Sequence, residues 1–195
     1  MVTVACVLKS GGDFTPEYVY RLRDGIKANT TVAYKFVCLT DLDLDCETIP
    51  LEHNLSGWWS KLELFLLKGK VVYFDLDTVI NGDLDALLSY QHAFTMLSNL
   101  DGRGGLASGC MAWDGDFRYL FDRWDASKAA EYTTPKKWGD QGWISEQIEV
   151  VPDRMQLLFP DMFCSYKWGK IEDRQKASVV LYHGLPRPHQ TGWKA

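Results

Sequence analysis

The feature that most constrains the fold of this chain is a short apolar segment that ends in two carboxylates. Lys70 to Phe74 reads KVVYF, and the next residues are Asp75, Leu76 and Asp77. The β-branched and aromatic residues predict a buried strand, and residues i and i+2 of an extended backbone project to the same side. The two carboxylates can therefore converge on one hard divalent cation. Ligands of open α/β sheets collect outside the carboxyl ends of the strands, so a substrate is expected there too.

Length and composition limit the classes of protein that remain. A chain of 195 residues with 46% hydrophobic and 24% charged residues can bury one substantial core, which predicts a single domain over 1–195. The net charge of -5 lacks the excess of Lys and Arg that a nucleic acid or an anionic membrane requires. Neither a long apolar stretch nor a signal peptide is evident, so no integral membrane segment is predicted. Five cysteines without CxxC spacing favour reduced thiols and a cytoplasmic location.

Strand-like and helix-like segments alternate, which predicts an α/β fold with a mixed, mostly parallel sheet flanked by helices. The predicted strands are 2–8, 33–39, 47–51, 70–74, 93–98, 109–113, 148–151 and 178–182. The predicted helices are 15–28, 58–67, 84–88, 117–130 and 141–146, the first with Thr15 as its cap and Pro16 at its first helical position. The glycine-rich segment 99–108 is expected to be a mobile loop.

A second acidic segment resembles a calcium-binding loop in its spacing. Asp41, Asp43 and Asp45 alternate, and Glu52 takes the twelfth position counted from Asp41. The sixth position, which requires Gly for a sharp turn, is Cys46. We therefore expect a solvated acidic turn and no calcium site.

Polar residues also follow the last predicted strand. The segment YHGLPRPH contains His183 and Arg187 directly after an apolar, β-branched run. A neutral imidazole is a common nitrogen ligand of transition ions, and a guanidinium suits a diphosphate. A single His is more often a satisfied surface or core residue, so His183 on its own leaves both readings open.

The order of several short motifs resembles the GT-A fold glycosyltransferases, most closely the family 8 group of glycogenin and galactosyltransferase-like enzymes. The motifs are an N-terminal βα unit, GWWSKLELF, YFDLDTVING, SGCMAWD, GDQGWISE and YHGLPRPH, and they extend from Val2 to about Pro188. By motif position, the resemblance implies that Asp75, Asp77 and His183 hold Mn²⁺, or Mg²⁺ as a second choice, against the diphosphate of a nucleotide sugar.

The resemblance also implies roles for residues around the donor. Arg187 would contact the phosphates, and Lys61 would lie near the donor. The remaining positions implied are Leu8, Lys9 and Ser10 beside the base, Leu76 within the D-x-D motif, and Asp140 and Gln141 near the transferred sugar. The chain departs from the family where Gly184 follows His183 directly, since two or three residues usually separate them, and where Arg187 replaces the usual Lys.

The resemblance therefore predicts a metal-dependent glycosyltransferase that moves a sugar from a nucleoside diphosphate sugar, with UDP as the first expectation, to an unknown acceptor. The leaving diphosphate develops negative charge, which a divalent ion and a basic side chain stabilise without supplying a proton. Trp138 and Trp143 flank Asp140 and are candidates for contact with the acceptor, although such rings are often core.

Two other functions are compatible with the motif. VVYFDLDTV also fits the signature of haloacid dehalogenase-type phosphatases, in which Asp75 would be the nucleophile and Asp77 the general acid and base. That family opens with the motif, whereas here a long segment precedes it. A nucleotide-sugar binding module without turnover would keep the metal site and lack a working acceptor groove.

Overall fold

The structure, a computed structural model, describes residues 1–192, so the last three residues of the predicted domain lie outside the described residues. A seven-stranded sheet has the order β3-β2-β1-β4-β7-β6-β8, and a three-stranded sheet has the order β5-β10-β9. The strands are β1 Val2–Leu8, β2 Tyr34–Thr40, β3 Thr48–Pro50, β4 Gly69–Phe74, β5 Thr78–Ile80, β6 Phe94–Ser98, β7 Leu106–Gly115, β8 Asp153–Arg154, β9 Phe163–Ser165 and β10 Val179–Leu181.

The larger sheet changes character along its width. β1 is parallel to β2 and to β4, and β2 is parallel to β3. β7 is antiparallel to both β4 and β6, whereas β6 and β8 are parallel. This arrangement confirms the predicted α/β class with a mixed, mostly parallel sheet. It also places the carboxyl ends of β1, β2 and β4 at one edge, where the carboxylates of the D-x-D motif lie.

The helices surround these sheets. The α-helices are α1 Pro16–Ala28, α2 Asp85–Ser89, α3 Tyr119–Asp122, α4 Ala129–Tyr132, α5 Asp140–Gln147, α6 Met155–Leu158 and α7 Ile171–Lys176, and 3-10 helices span Gly57–Leu66, Ala126–Lys128 and Pro188–Thr191. α1 begins at Pro16 as predicted, and its buried face carries Val19, Leu22 and Ile26. Within residues 1–192, no helix is long and apolar enough to cross a membrane.

β4 separates two hydrophobic cores. Val72 and Phe74 belong to the core that α1 covers, whereas Val71 and Tyr73 belong to the core beneath the 3-10 helix Gly57–Leu66. Both faces of the strand are therefore buried, which explains why its sequence is a continuous apolar run. The alternation continues past the strand, because Leu76 packs into the first core. The strand end is thus held on two sides.

Two predicted elements are wrong. The helix predicted over 117–130 is broken into α3, the 3-10 helix Ala126–Lys128 and α4. The side chain of Asp125 accepts a hydrogen bond from Ser127 N at 2.9 Å and so competes with the helical pattern. The strand predicted over 148–151 is absent, and Val151 is 96% exposed. The strand that pairs with β6 in this region is β8, two residues further along.

Other boundaries differ more modestly. The predicted loop 99–108 ends earlier, because β7 begins at Leu106. Its glycines Gly102, Gly104 and Gly105 all have positive φ, and Asn99 Nδ2 donates to Gly104 O at 2.8 Å. The mobility of this loop stays a prediction. The short strands β5 and β9 and the helices α6 and α7 were not predicted, since each is too short for a periodic pattern.

Candidate functional site

The candidate site is built where β4 ends and the smaller sheet begins. Asp75 N donates to Gly109 O of β7 at 2.9 Å, and Tyr182 N, just after β10, donates to Asp77 O at 3.1 Å. Asp75 is therefore fixed to the large sheet and Asp77 to the small one. A Cβ on Gly109 would lie 3.1 Å from Leu181 Cδ2 and 3.5 Å from Asp75 Oδ2, so a side chain there would crowd this junction.

A buried cation holds the Asp75 side of the site. Lys61 Nζ, from the 3-10 helix Gly57–Leu66, lies 2.9 Å from Asp75 Oδ1 and 2.9 Å from Asp140 Oδ2. Ser108 Oγ donates to Asp140 Oδ2 at 2.7 Å, and Tyr73 OH donates to Asp75 Oδ1. Asp140 opens α5, so this network joins the 3-10 helix, β4, β7 and α5 around one ammonium group.

The pKa shifts follow from this crowding. Burial by itself lowers the pKa of Lys61, but the carboxylates of Asp140 and Asp75 outweigh it and hold the pKa above its usual value. Burial raises the pKa of Asp140, and the negative charge of Asp75 adds to that rise while Lys61 opposes it. One ammonium group therefore serves two carboxylates and does not fully neutralise them.

An arginine holds the Asp77 side. Arg187 Nη1 donates to Asp77 Oδ2 at 2.7 Å, and Gly184 N donates to the same oxygen at 3.1 Å. Arg187 Nη2 reaches Asp13 Oδ2 at 3.1 Å, and the guanidinium carbon lies 4.4 Å from the centre of the Phe14 ring. Arg187 Nε is buried and has no hydrogen-bond partner among residues 1–192. Burial and the neighbouring Asp75 raise the pKa of Asp77, against the effect of Gly184 and Arg187.

The charges of the site do not balance. Three carboxylates, Asp75, Asp77 and Asp140, face the two cations Lys61 and Arg187. Asp75 Oδ2 and Asp77 Oδ1 accept no hydrogen bond from any of residues 1–192. Two free anionic oxygens with uncompensated charge fit a hard cation that completes its shell with water and phosphate oxygens.

His183 lies beside this pair without joining it in a ligand set. In the described part of the chain, no three His, Cys, Asp or Glu side chains are gathered as they would be around a metal. His183 Nε2 lies 2.8 Å from Ser165 Oγ, and the imidazole stacks on Trp168 with 4.6 Å between ring centres. Burial, reinforced by the charge of Lys167, lowers the pKa of His183 to about 4.

The segment predicted to lie beside the base is engaged by an aspartate of the acidic turn. Lys9 Nζ, Ser10 N and Ser10 Oγ donate to the carboxylate of Asp41 at 2.7, 2.8 and 2.7 Å. Desolvation raises the pKa of Asp41, but these hydrogen bonds outweigh it and hold the pKa well below its usual value. Leu8 is buried in the core. These residues share the sheet edge with the D-x-D pair, and Asp13 links the same loop to Arg187.

The residues predicted near the transferred sugar lie at the start of α5. Asp140 is buried in the Lys61 network, whereas Gln141 is half-buried and its Nε2 donates to Asn99 Oδ1 at 3.3 Å. Trp143 is core, since it is 1% exposed and its Nε1 donates to Leu120 O at 3.0 Å. Trp138, in contrast, is 59% exposed. Trp138 is thus the one of these two rings that an acceptor could reach.

Four residues of the site were not anticipated. Tyr73 had a signal, because it stands two residues before Asp75 and so projects to the same side of the strand. The sequence signal for Asp41 was weaker. It is a carboxylate that directly follows β2, and β2 is the parallel neighbour of β1. Asp13 and Ser165 come to the site through tertiary contacts that no local pattern reveals.

Comparison with known proteins identifies the fold. The chain matches no family model and no curated protein. Among solved structures it resembles GlyE, a glycosyltransferase of Streptococcus pneumoniae TIGR4, with 13% identity and a TM-score of 0.66 over 96% of this chain and 55% of that one. It resembles the bifunctional glycosyltransferase WbbM with 13% identity and a TM-score of 0.64 over 96% and 46% of the two chains.

A third similar structure is the galactosyltransferase LgtC, solved with donor and acceptor sugar analogues, with 12% identity and a TM-score of 0.54 over 96% of this chain and 89% of that one. The chain spans about half the length of GlyE and WbbM. At these identities the likeness establishes the fold, and it confirms the predicted GT-A glycosyltransferase architecture.

Proposed function

We propose that this chain is a cation-dependent glycosyltransferase that takes a sugar from a nucleoside diphosphate sugar, with a UDP-sugar as the first candidate. One observation carries the proposal. A glycosyltransferase fold places two carboxylates with free oxygens and uncompensated charge beside an arginine, at the sheet edge where such folds collect ligands.

Asp75 and Asp77 are the residues that would hold Mn²⁺ or Mg²⁺, each through the oxygen that the protein leaves free. A cation of this kind is commonly held by one or two carboxylates together with substrate phosphates and water. When bound, it would offset the negative charge that develops on the leaving diphosphate.

Arg187 is placed to bind the diphosphate. The Arg187 side chain is 16% exposed, and its guanidinium lies 2.7 Å from Asp77 Oδ2. A diphosphate bound to a cation at Asp77 would therefore lie within reach of this guanidinium. Its buried Nε has no partner among residues 1–192, and a phosphate oxygen would satisfy it. A planar guanidinium also matches phosphate geometry with two parallel hydrogen bonds.

Asp140 and Gln141 were both predicted to lie near the transferred sugar, and we assign them different roles. Asp140 is buried, pairs with Lys61 and accepts a hydrogen bond from Ser108, so it orients the Lys61 ammonium group that faces Asp75. Gln141 precedes the buried stretch of α5 and is held by a single 3.3 Å hydrogen bond to a loop residue. We assign Gln141 to contact with the sugar, because its amide can exchange that weak bond for a sugar hydroxyl.

Donor turnover tests the proposal. UDP-sugars, and then GDP- and CDP-sugars, would be incubated with the protein and Mn²⁺, and release of the nucleoside diphosphate would be measured with and without an acceptor panel. Asp77→Asn should lose nearly all release, whereas the surface variant Asp122→Asn should retain it. Binding of the donor without release of the nucleoside diphosphate, whichever acceptor is added, would favour the binding module. Turnover of p-nitrophenyl phosphate with no donor turnover would favour the phosphatase.

A further inference from the structure

The hydroxyl group of Ser165 is fully committed to hydrogen bonds. Ser165 is 3% exposed, and its Oγ accepts from Lys167 N and from Trp168 N, both at 3.1 Å. A serine hydroxyl has one proton to donate and two lone pairs to accept with. Because the two amides fill both lone pairs, the proton is free only for its third neighbour, His183 Nε2, at 2.8 Å.

These hydrogen bonds determine which ring nitrogen of His183 carries the proton. Since Ser165 donates to Nε2, that nitrogen accepts, and the proton of the neutral imidazole lies on Nδ1. The opposite tautomer, or an imidazolium, would aim a third N–H at an oxygen with two lone pairs and leave the hydroxyl proton without an acceptor. A metal ligand needs a free lone pair on one ring nitrogen. In this arrangement one nitrogen accepts from Ser165 and the other carries the proton.

The surroundings keep the imidazole in this position. Trp168 stacks on the ring, and Lys167 Nζ donates to His183 O at 2.8 Å. His183 has φ of 36°, a left-handed conformation that residues other than glycine seldom adopt. The same turn after β9 therefore supplies the hydroxyl group, the stacking ring and the cation that hold His183 in place.

We propose that Ser165 is a positioning residue that fixes His183 with its proton on Nδ1, so that His183 is not a ligand of the cation. The protein would then hold the cation through Asp75 and Asp77 alone, unlike the three-residue set that the family resemblance implies. A site with only oxygen ligands from the protein has no nitrogen to favour Mn²⁺, so Mg²⁺ should serve nearly as well.

The first test is the tautomer in the free protein. It rests on the proposed function only where the cation is named, so it holds its meaning even if no sugar is transferred. The full chain would carry ¹⁵N-labelled histidine, and long-range ¹H–¹⁵N correlations would show which ring nitrogen is protonated in each of the four histidines. Comparison with His183→Asn assigns the signal of His183. We expect the proton on Nδ1, and a proton on Nε2 or on both nitrogens at neutral pH would overturn the proposal.

Variants of Ser165 separate positioning from general structure. Ser165→Ala should move His183 toward a mixture of tautomers, and Ser165→Thr, which keeps the hydroxyl group, should restore the wild-type signal. An unchanged tautomer in a folded Ser165→Ala protein would contradict the role of Ser165. If that variant fails to fold, the wild-type spectrum and the metal measurement still decide.

The metal measurement uses Mn²⁺ as a paramagnetic probe. Electron–nuclear double resonance on Mn²⁺ in the ¹⁵N-histidine protein, with and without UDP, should show no directly coordinated nitrogen. His183→Ala should change the affinity of the free protein for Mn²⁺ by less than about twofold, whereas disturbing a true ligand shell costs at least about tenfold. A coordinated ¹⁵N, or a tenfold loss of Mn²⁺ affinity, would overturn the proposal.

Discussion

The two carboxylates of the D-x-D pair are paired with cations in different ways. On the Asp75 side, the Lys61 side chain is 9% exposed and is enclosed by Asp75 and Asp140, which are contributed by β4 and α5. On the Asp77 side, Arg187 comes from the end of the described chain, and its second partner, Asp13, has a side chain that is 75% exposed. Lys61 lies in the core between two carboxylates, whereas Arg187 joins the buried Asp77 to the exposed Asp13.

This difference separates stability from ligand binding. A buried cation between two carboxylates has no substitute partner, so its loss leaves uncompensated charge in a region of low dielectric constant. The Arg187 side chain is 16% exposed and its second partner, Asp13, faces solvent, so Arg187 can exchange a carboxylate for a phosphate. We therefore expect Lys61 to control folding and Arg187 to control donor binding.

The largest expected effect is that of Lys61→Met on stability. Removal of one partner from a buried ionic network costs about 3–5 kcal/mol, whereas loss of an exposed pair costs about 0–1 kcal/mol. Lys68 provides the matched control, because its ammonium lies 2.8 Å from Asp116 in an exposed pair. Urea denaturation of Lys61→Met and Lys68→Met measures both. Equal losses would show that the Lys61 network is not the buried unit described above.

Arg187→Gln should affect ligands more than folding. Because the guanidinium occupies Asp77 Oδ2 at 2.7 Å, its removal should tighten Mn²⁺ binding to the free protein. Loss of a charge-assisted phosphate contact should weaken UDP binding by about 10- to 150-fold, the equivalent of about 1.5–3 kcal/mol for such a bond, while uridine binding stays unchanged. Isothermal titration of Mn²⁺, UDP and uridine measures all three. The surface variant Arg118→Gln is the control, and weaker Mn²⁺ binding in Arg187→Gln would contradict the assigned exchange.

A third expected effect is a pH dependence of stability due to His183. Its pKa is lowered from 6.5 to about 4, first by burial and then by Lys167, so the unfolded state binds more protons between these values. The contribution of His183 to stability should therefore fall as the pH decreases from about 6.5 to about 4, and His183→Asn should remove this contribution. Asp85, with a pKa lowered to about 2 by hydrogen bonds from Thr30 and Thr31, titrates below this window. Melting midpoints of the wild type and of His183→Asn would be measured between about pH 4 and pH 6.5. Parallel curves for the two proteins would contradict the role of His183.

The parts of the molecule that sequence reasoning predicted well are those with strong local signals. β1, α1 and β4 end within one residue of their predicted bounds because periodicity and a proline mark them. The segments 117–130 and 148–151 were predicted poorly, since an aspartate turn at Asp125 interrupts an otherwise helical pattern and an apolar run near Val151 stays exposed. The helix predicted between them, 141–146, is confirmed as α5.

The site shows the same division. Strand alternation placed the D-x-D carboxylates, the polar segment after the last predicted strand indicated His183 and Arg187, and the family resemblance added Lys61. The specific pairing of Lys61 with Asp140, and of Ser165 with His183, joins residues 79 and 18 positions apart by tertiary packing. No local pattern contains that information, so the direction of the His183 hydrogen bond required the structure.

The most direct test of cation-mediated donor binding is the melting midpoint with Mn²⁺ and a UDP-sugar, added alone and together. A ligand that binds only the native state adds about 2.7 kcal/mol at a hundredfold excess over Kd, and each kcal/mol shifts the midpoint of a chain of this size by about 2–4 °C. We expect a rise of several degrees with both ligands, larger than the sum of the separate shifts, because the cation links the carboxylates to the diphosphate. EDTA or Asp77→Asn should remove it. If no UDP-, GDP- or CDP-sugar shifts the midpoint with Mn²⁺ at millimolar concentration, the glycosyltransferase assignment is wrong.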